Sequence, residues 1–151
     1  MPAVLSFLIK PLDDQGPEVL TLTLVVDDTP LGELIERFER EQSFEPAGGY
    51  GGIIPGFFRY GPLNRYFLGE SESEYFSRNR AYYLLGCQCG EVGCWPLSAR
   101  ISKTETEIVW DHFAQEHRPE RDYSRFGPFR FEFTQYSTTV AGLESRFKAR
   151  T

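Results

Sequence analysis

The chain has 151 residues, of which 40% are hydrophobic, 25% charged and 15% aromatic, a composition too apolar for a disordered chain and of the size of one compact domain, residues 1–151. With 16 basic and 22 acidic residues the formal net charge is −6 at pH 7, so steering toward phosphate backbones is unfavourable and no nucleic-acid partner is expected. No apolar run approaches the roughly 20 residues needed to cross a bilayer, and Lys10 and Pro11 interrupt the first one before it can form a secretory core; the sequence reads as cytoplasmic, with no membrane partner.

Ala3 to Lys10 and Val19 to Val26 are two apolar runs joined by a turn-rich stretch from Pro11 to Pro17, the pattern of a long hairpin. In the second run Leu20, Leu22, Leu24 and Val26 alternate with Thr21, Thr23 and Val25, which predicts a half-buried strand. Thr29 is placed to cap a helix with Pro30 at its first position, and the helix is expected to end near Gln42. Leu31, Leu34, Ile35 and Phe38 fall on its inner face, with Glu33, Glu36, Arg37 and Arg40 in water.

From Ser43 to about Glu74 frequent glycines and prolines break every regular period, while interleaved residues such as Tyr50, Ile53, Ile54, Tyr66 and Phe67 are too apolar for a solvated tether. A packed irregular segment is expected. Its glycine run, Gly48-Gly49-Tyr50-Gly51-Gly52, lacks the Gly-Lys-Ser/Thr ending of a phosphate loop. Tyr50, Arg59, Tyr60, Arg65 and Tyr66 are instead the candidates for lining a groove that takes a small ligand or a peptide.

Regularity returns with expected strands at Tyr82 to Cys87, Trp95 to Lys103, Glu107 to Phe113 and Phe129 to Phe133. A last helix follows from about Thr134, with Tyr136, Val140, Leu143 and Phe147 on one stripe and Arg146, Lys148 and Arg150 near its negative end. Hairpin-connected strands without strand-helix-strand alternation define an α+β fold: a mainly antiparallel sheet with two amphipathic helices on one face.

The chemically distinctive stretch is Gly86-Cys87-Gln88-Cys89-Gly90-Glu91-Val92-Gly93-Cys94-Trp95, which contains all three cysteines. Cys87 and Cys89, two apart, point the same way in an extended chain, and a glycine-bearing turn returns Cys94 toward them. Three thiolates gathered this way suit zinc, whose bonds of about 2.3 Å set tetrahedral sulfurs roughly 3.8 Å apart. His112 is the candidate fourth ligand, on the strand expected to pair with the one leaving Cys94; Glu91 and His117 are second choices. Buried, inert thiols are the competing reading, and a thiol oxidoreductase is a third, opposed by the nearby Glu91 carboxylate. Asp111 and His112 are strand neighbours, so the period of two sends them to opposite faces, with His112 beside Ile108 and Trp110.

The stretch Leu84-Leu85-Gly86-Cys87-Gln88-Cys89-Gly90-Glu91-Val92-Gly93-Cys94-Trp95-Pro96-Leu97, with Val109-Trp110-Asp111 and Phe126-Gly127-Pro128-Phe129 beyond it, resembles a group of small uncharacterised bacterial proteins. The resemblance implies a bacterial, cytosolic origin and carries no activity or ligand residue with it. The residues themselves favour a non-enzymatic domain that binds a protein or small ligand through the Gly/aromatic segment, with a structural cysteine hairpin. Zinc binding is the alternative, and a second copy of the chain, paired along an exposed strand, is one partner the pattern allows.

Overall fold

The computed structural model describes residues 2–12, 16–55, 63–70, 81–89, 94–143 and 145. The fold is α+β, with antiparallel strands in two sheets.

Strands β1 (Leu5–Leu12) and β2 (Gly16–Val26) form the expected hairpin, running from Leu5↔Val26 to Pro11↔Leu20 before the register shifts. β1 is displaced two residues toward the turn and β2 begins three residues earlier than the sequence suggested, because Pro11 and Pro17 sit within the strands near the hairpin end, where a missing N–H is tolerated. Leu20, Leu22, Leu24 and Val26 are all buried, as their alternation requires. A two-residue strand β3 (Thr29–Pro30) returns along β2, and helix α1 (Leu31–Glu41) begins directly after it. Thr29 therefore spends its backbone on pairing with Val26 instead of capping; Pro30 takes the cap position, with no side-chain cap bond. Leu31, Ile35 and Phe38 are buried, and Glu33–Arg37 and Glu36–Arg40 ion pairs lie on the outer face. Unexpectedly for a charged residue, Glu39 is wholly buried.

The glycine-rich segment joins the two sheets. Strand β4 (Tyr50–Gly51) pairs antiparallel with β5 (Ala81–Cys87), placing Tyr50 opposite Cys87, and two residues later Ile53 exchanges backbone hydrogen bonds of 2.7 and 3.0 Å with Leu22 of β2. Gly52 has to be glycine for this: a Cβ there would lie 2.7 Å from the Leu22 carbonyl oxygen. Helix α2 (Leu63–Phe67) then buries Leu63, Tyr66 and Phe67.

The second sheet continues through β6 (Leu97–Lys103), β7 (Glu107–Ala114) and β8 (Phe129–Glu132), in the order β4-β5-β6-β7-β8. The alternation expected to continue to Phe133 stops one residue earlier, and Phe133 opens helix α3 (Phe133–Ala141). Tyr136, Val140 and Leu143 are fully buried, whereas Arg146, Phe147, Lys148 and Arg150 lie outside the described residues. On the far side Ala3 bridges Phe131, its N–H donating to the Arg130 carbonyl at 2.8 Å. Linked at both edges, the sheets enclose one apolar cluster that includes Trp110, Tyr66, Tyr136, Phe67 and Phe131. Each fully buried aliphatic or phenyl side chain contributes about 1.5–3 kcal/mol to it. The indole N–H of Trp110 donates to the Tyr136 hydroxyl at 3.0 Å, which in turn donates to the Phe67 carbonyl, so the polar atoms of these aromatics are satisfied inside the core.

Strand β7 carries a bulge. Arg100 pairs with Asp111 but Ser98 with Ala114, so β7 has one more residue than β6 across this interval. His112 absorbs the excess with a φ of 54°. Inward positions therefore run Ile108, Trp110, Phe113, and His112 faces solvent instead of sharing the face of Ile108 and Trp110.

Candidate metal centre

Pairing of β4 with β5 and of β5 with β6 fixes both flanks of the cysteine hairpin. Cys87 ends β5, Gln88 and Cys89 turn away from it, and Cys94 lies three residues before β6. Gln88 N–H donates to the Gly49 carbonyl at 3.1 Å, and Cys89 N–H lies 3.4 Å from the Cys87 sulfur, so the backbone curls around that atom. The three Sγ atoms all fall within 4.8 Å of one another. Closing them to the roughly 3.8 Å of tetrahedral zinc thiolates requires movement of no more than about 1 Å, which the two exposed side chains can supply. Among the described residues none of the three forms a disulfide; Cys87 is half-buried and Cys89 and Cys94 are exposed. Partial burial, with the Cys89 and Cys94 thiols beside it, pushes Cys87 up to about 11. A bound cation reverses that penalty on Cys87 by drawing off its proton.

His112 is not one of this group. The β7 bulge turns it outward, and its Nδ1 lies 3.0 Å from Asp111 Oδ1, so the two residues expected on opposite faces share one. The other suggested ligands are not brought in either: His117 stacks on Trp95 with ring centroids 6.4 Å apart and does not join the sulfur group, and Glu91 lies outside the described residues. Among the described residues the cluster thus offers three candidate ligands and no fourth.

Beneath the centre is a buried polar cluster that sequence reasoning missed. Glu39 Oε1 accepts from Gly48 N–H at 2.8 Å, while Oε2 accepts from the Tyr50 hydroxyl at 2.8 Å, the Tyr123 hydroxyl at 2.6 Å and Arg121 Nη1 at 3.1 Å. Arg121 also donates to the Pro46 carbonyl at 2.8 Å and lies 5.0 Å from the Phe44 ring centroid. Gln115 Nε2 donates to the Tyr50 hydroxyl at 3.2 Å and the Pro96 carbonyl at 2.9 Å. Burial and the Glu39 carboxylate push the Tyr123 phenol up to about 12 and raise Tyr50 further, so both remain donors. Leu31, Ile35 and Glu39 recur every four residues on α1, and that spacing was the available signal.

A groove of about 610 Å³ adjoins the hairpin, lined by Thr23, Glu36, Arg37, Tyr50, Gln88 and the glycine run. Of the five proposed groove residues, Tyr50 lines it. Tyr66 does not: it is buried in the core, its hydroxyl donating to the Tyr83 carbonyl at 2.8 Å, because α2 turns it inward. Arg65 is exposed on α2 and is not part of the groove wall, and Arg59 and Tyr60 lie outside the described residues.

Among the described residues no helix is long and apolar enough to cross a membrane. No protein-family model matches the chain, and comparison with curated proteins and with solved structures finds no match. The site is therefore read from its own geometry.

Proposed function

We propose that the protein binds a thiophilic metal ion, zinc above all, through Cys87, Cys89 and Cys94. The observation that carries this reading is the convergence of three sulfurs within 4.8 Å at the end of a strand held on both sides by backbone pairing. Convergence is the demanding part of metal binding, since a preformed site avoids the cost of gathering ligands from a mobile chain. Hydrogen bonds support it from below: Trp95, next to Cys94, donates from its indole to the Gly48 carbonyl at 2.9 Å, and Gly48 is tied to Glu39. A three-sulfur site leaves the fourth zinc position to water or an outside donor. A reducing compartment such as the cytoplasm keeps the thiols available. A redox role is less well supported, because an attacking cysteine needs a lowered thiol pKa and Cys87 is shifted the other way.

The test is metal titration of reduced protein, read by competition with a chromophoric zinc indicator and by thiolate-to-cobalt absorption after cobalt substitution. One metal per chain is expected, lost when Cys87, Cys89 and Cys94 are all replaced by serine. Equal metal retention by that triple variant removes the proposal.

The 610 Å³ groove supports a second reading, binding of a small ligand or an extended peptide along the Gly48–Gly52 backbone beside the metal. A thermal-shift screen of metabolites and peptides tests it, with Tyr50→Phe and Arg37→Ala as groove variants. A hit that shifts all three proteins equally places binding elsewhere.

A further inference from the structure

The cysteine cluster defines a coordination number as well as a place. Cys87, Cys89 and Cys94 present three Sγ atoms within 4.8 Å of one another, and no other His, Cys, Asp or Glu among the described residues joins them. An ion content with two sulfurs leaves one of these idle, and tetrahedral zinc has to recruit a fourth donor. A trivalent metalloid matches the count: arsenic(III) and antimony(III) form three bonds to sulfur and carry a lone pair where a fourth ligand would stand.

Charge and access point the same way. Three thiolates around a divalent ion leave one negative charge uncompensated, on a chain whose formal net charge is already −6, whereas around a trivalent centre they leave none. Cys89 and Cys94 are exposed, so a small neutral hydroxide such as As(OH)3 reaches the sulfurs from solvent. The hairpin is also held at both ends. Tyr50 pairs opposite Cys87, and the Trp95 indole, next to Cys94, donates to the Gly48 carbonyl at 2.9 Å. Within it the Cys89 N–H lies 3.4 Å from the Cys87 sulfur, which folds Cys89 back over that atom. Once one arsenic–sulfur bond has formed, the second and third close within a chain already gathered for them.

We infer that these three sulfurs bind trivalent arsenic or antimony, taken up as the neutral hydroxide, in competition with zinc. The inference rests on the reading of the three cysteines as one site and names a further ligand for it. Each S–H proton leaves with one hydroxide of As(OH)3 as water, and an arsenic–sulfur bond replaces each arsenic–oxygen bond. Three thiols and one As(OH)3 therefore give one tris-thiolate and three water molecules, with no change of oxidation state.

The experiment adds sodium arsenite to reduced, metal-free protein and reads the intact mass and the number of thiols still open to iodoacetamide. A gain of one arsenic less three hydrogens is expected, with all three cysteines protected. Added to the zinc-loaded protein, arsenite should release the zinc to a chromophoric indicator. Cys87→Ser, Cys89→Ser and Cys94→Ser should each weaken arsenite binding about 100-fold, since each removes one intramolecular bond. Phenylarsine oxide, whose arsenic bonds only two sulfurs, should lose far less in the same variants. The thiol count is made on wild type, so a substitution that upsets folding does not blur it. An adduct that leaves a cysteine open to alkylation, or arsenite binding of equal strength in wild type and the three variants, overturns the inference. Zinc binding with no arsenite adduct overturns it while leaving the metal reading in place. A three-sulfur arsenic adduct on a protein that takes up no zinc upholds it and removes zinc from that reading.

Discussion

Two clusters of ionisable groups meet at the Gly48–Gly51 backbone, and they are built to opposite rules. Around Glu39 every partner is in place: one carboxylate receives four donors, and the Glu39 and Arg121 side chains are 0% and 4% exposed. Around Cys87 three sulfurs stand together, mostly exposed, with Cys87 shifted against ionisation by burial and by its neighbours. A buried charge persists only when its hydrogen bonds are complete, so the first cluster fixes conformation. The second gathers donor atoms that gain most from something added. Their shared backbone explains how an exposed hairpin can be preorganised: Gly48 is tied to Glu39 and to Trp95, and Tyr50 to Glu39 and, through strand pairing, to Cys87.

The sharpest way to break this contrast is Glu39→Ala, which leaves Arg121 buried without its partner. A loss of about 3–5 kcal/mol in urea unfolding is expected, together with weaker metal binding as Gly48 and Tyr50 are released. A loss below about 1 kcal/mol would mean that the pair is no more important than a surface ion pair. Next in size is metal itself. Zinc at a free concentration 100 times its dissociation constant should stabilise the protein by about 2.7 kcal/mol, an effect reversed by a chelator and absent from the triple serine variant. Gly52→Ala should cost about 1–3 kcal/mol through the clash with the Leu22 carbonyl, and should leave the thiols' reaction with alkylating reagents nearly unchanged if the cysteine rim is held chiefly by β5 and β6.

The smallest effect concerns acid. Burial raises the Asp111 carboxyl, but hydrogen bonds from Arg100 and His112 more than offset it, so its folded pKa lies below the usual carboxylate range. The stabilisation is then complete above the unfolded value and is lost as pH falls through the folded one. With both side chains partly exposed it should stay under about 1 kcal/mol. Comparing acid unfolding of wild type and Asp111→Asn reads it, and identical profiles would show that the clamp contributes nothing to stability.

Much of the scaffold was legible because it follows simple periods. Leu20 to Val26 alternate as a strand and bury the predicted face, and Leu31, Ile35 and Phe38 mark the inner side of α1. The gathering of three sulfurs followed from a two-residue spacing and a glycine-bearing turn, both local features. His112 failed as the fourth ligand for an equally physical reason: one extra residue in β7 reverses the facing of everything after Asp111, and periodicity carries no sign of where a bulge falls. Tyr66 looked like a groove residue because a glycine-rich context hid the single helical turn that points it into the core.

By itself the amino-acid sequence determined the class of fold, the apolar faces of the long strands and helices, and the closeness of Cys87, Cys89 and Cys94, since each depends on spacing over a few residues. Only the tertiary structure decided that Glu39 meets Arg121 across 82 positions, that β4 laces the two sheets together beside the cysteines, and that Asp111 and His112 turn to one side. Those outcomes depend on which distant segments pack against each other, and burial then selects the charges that must be paired.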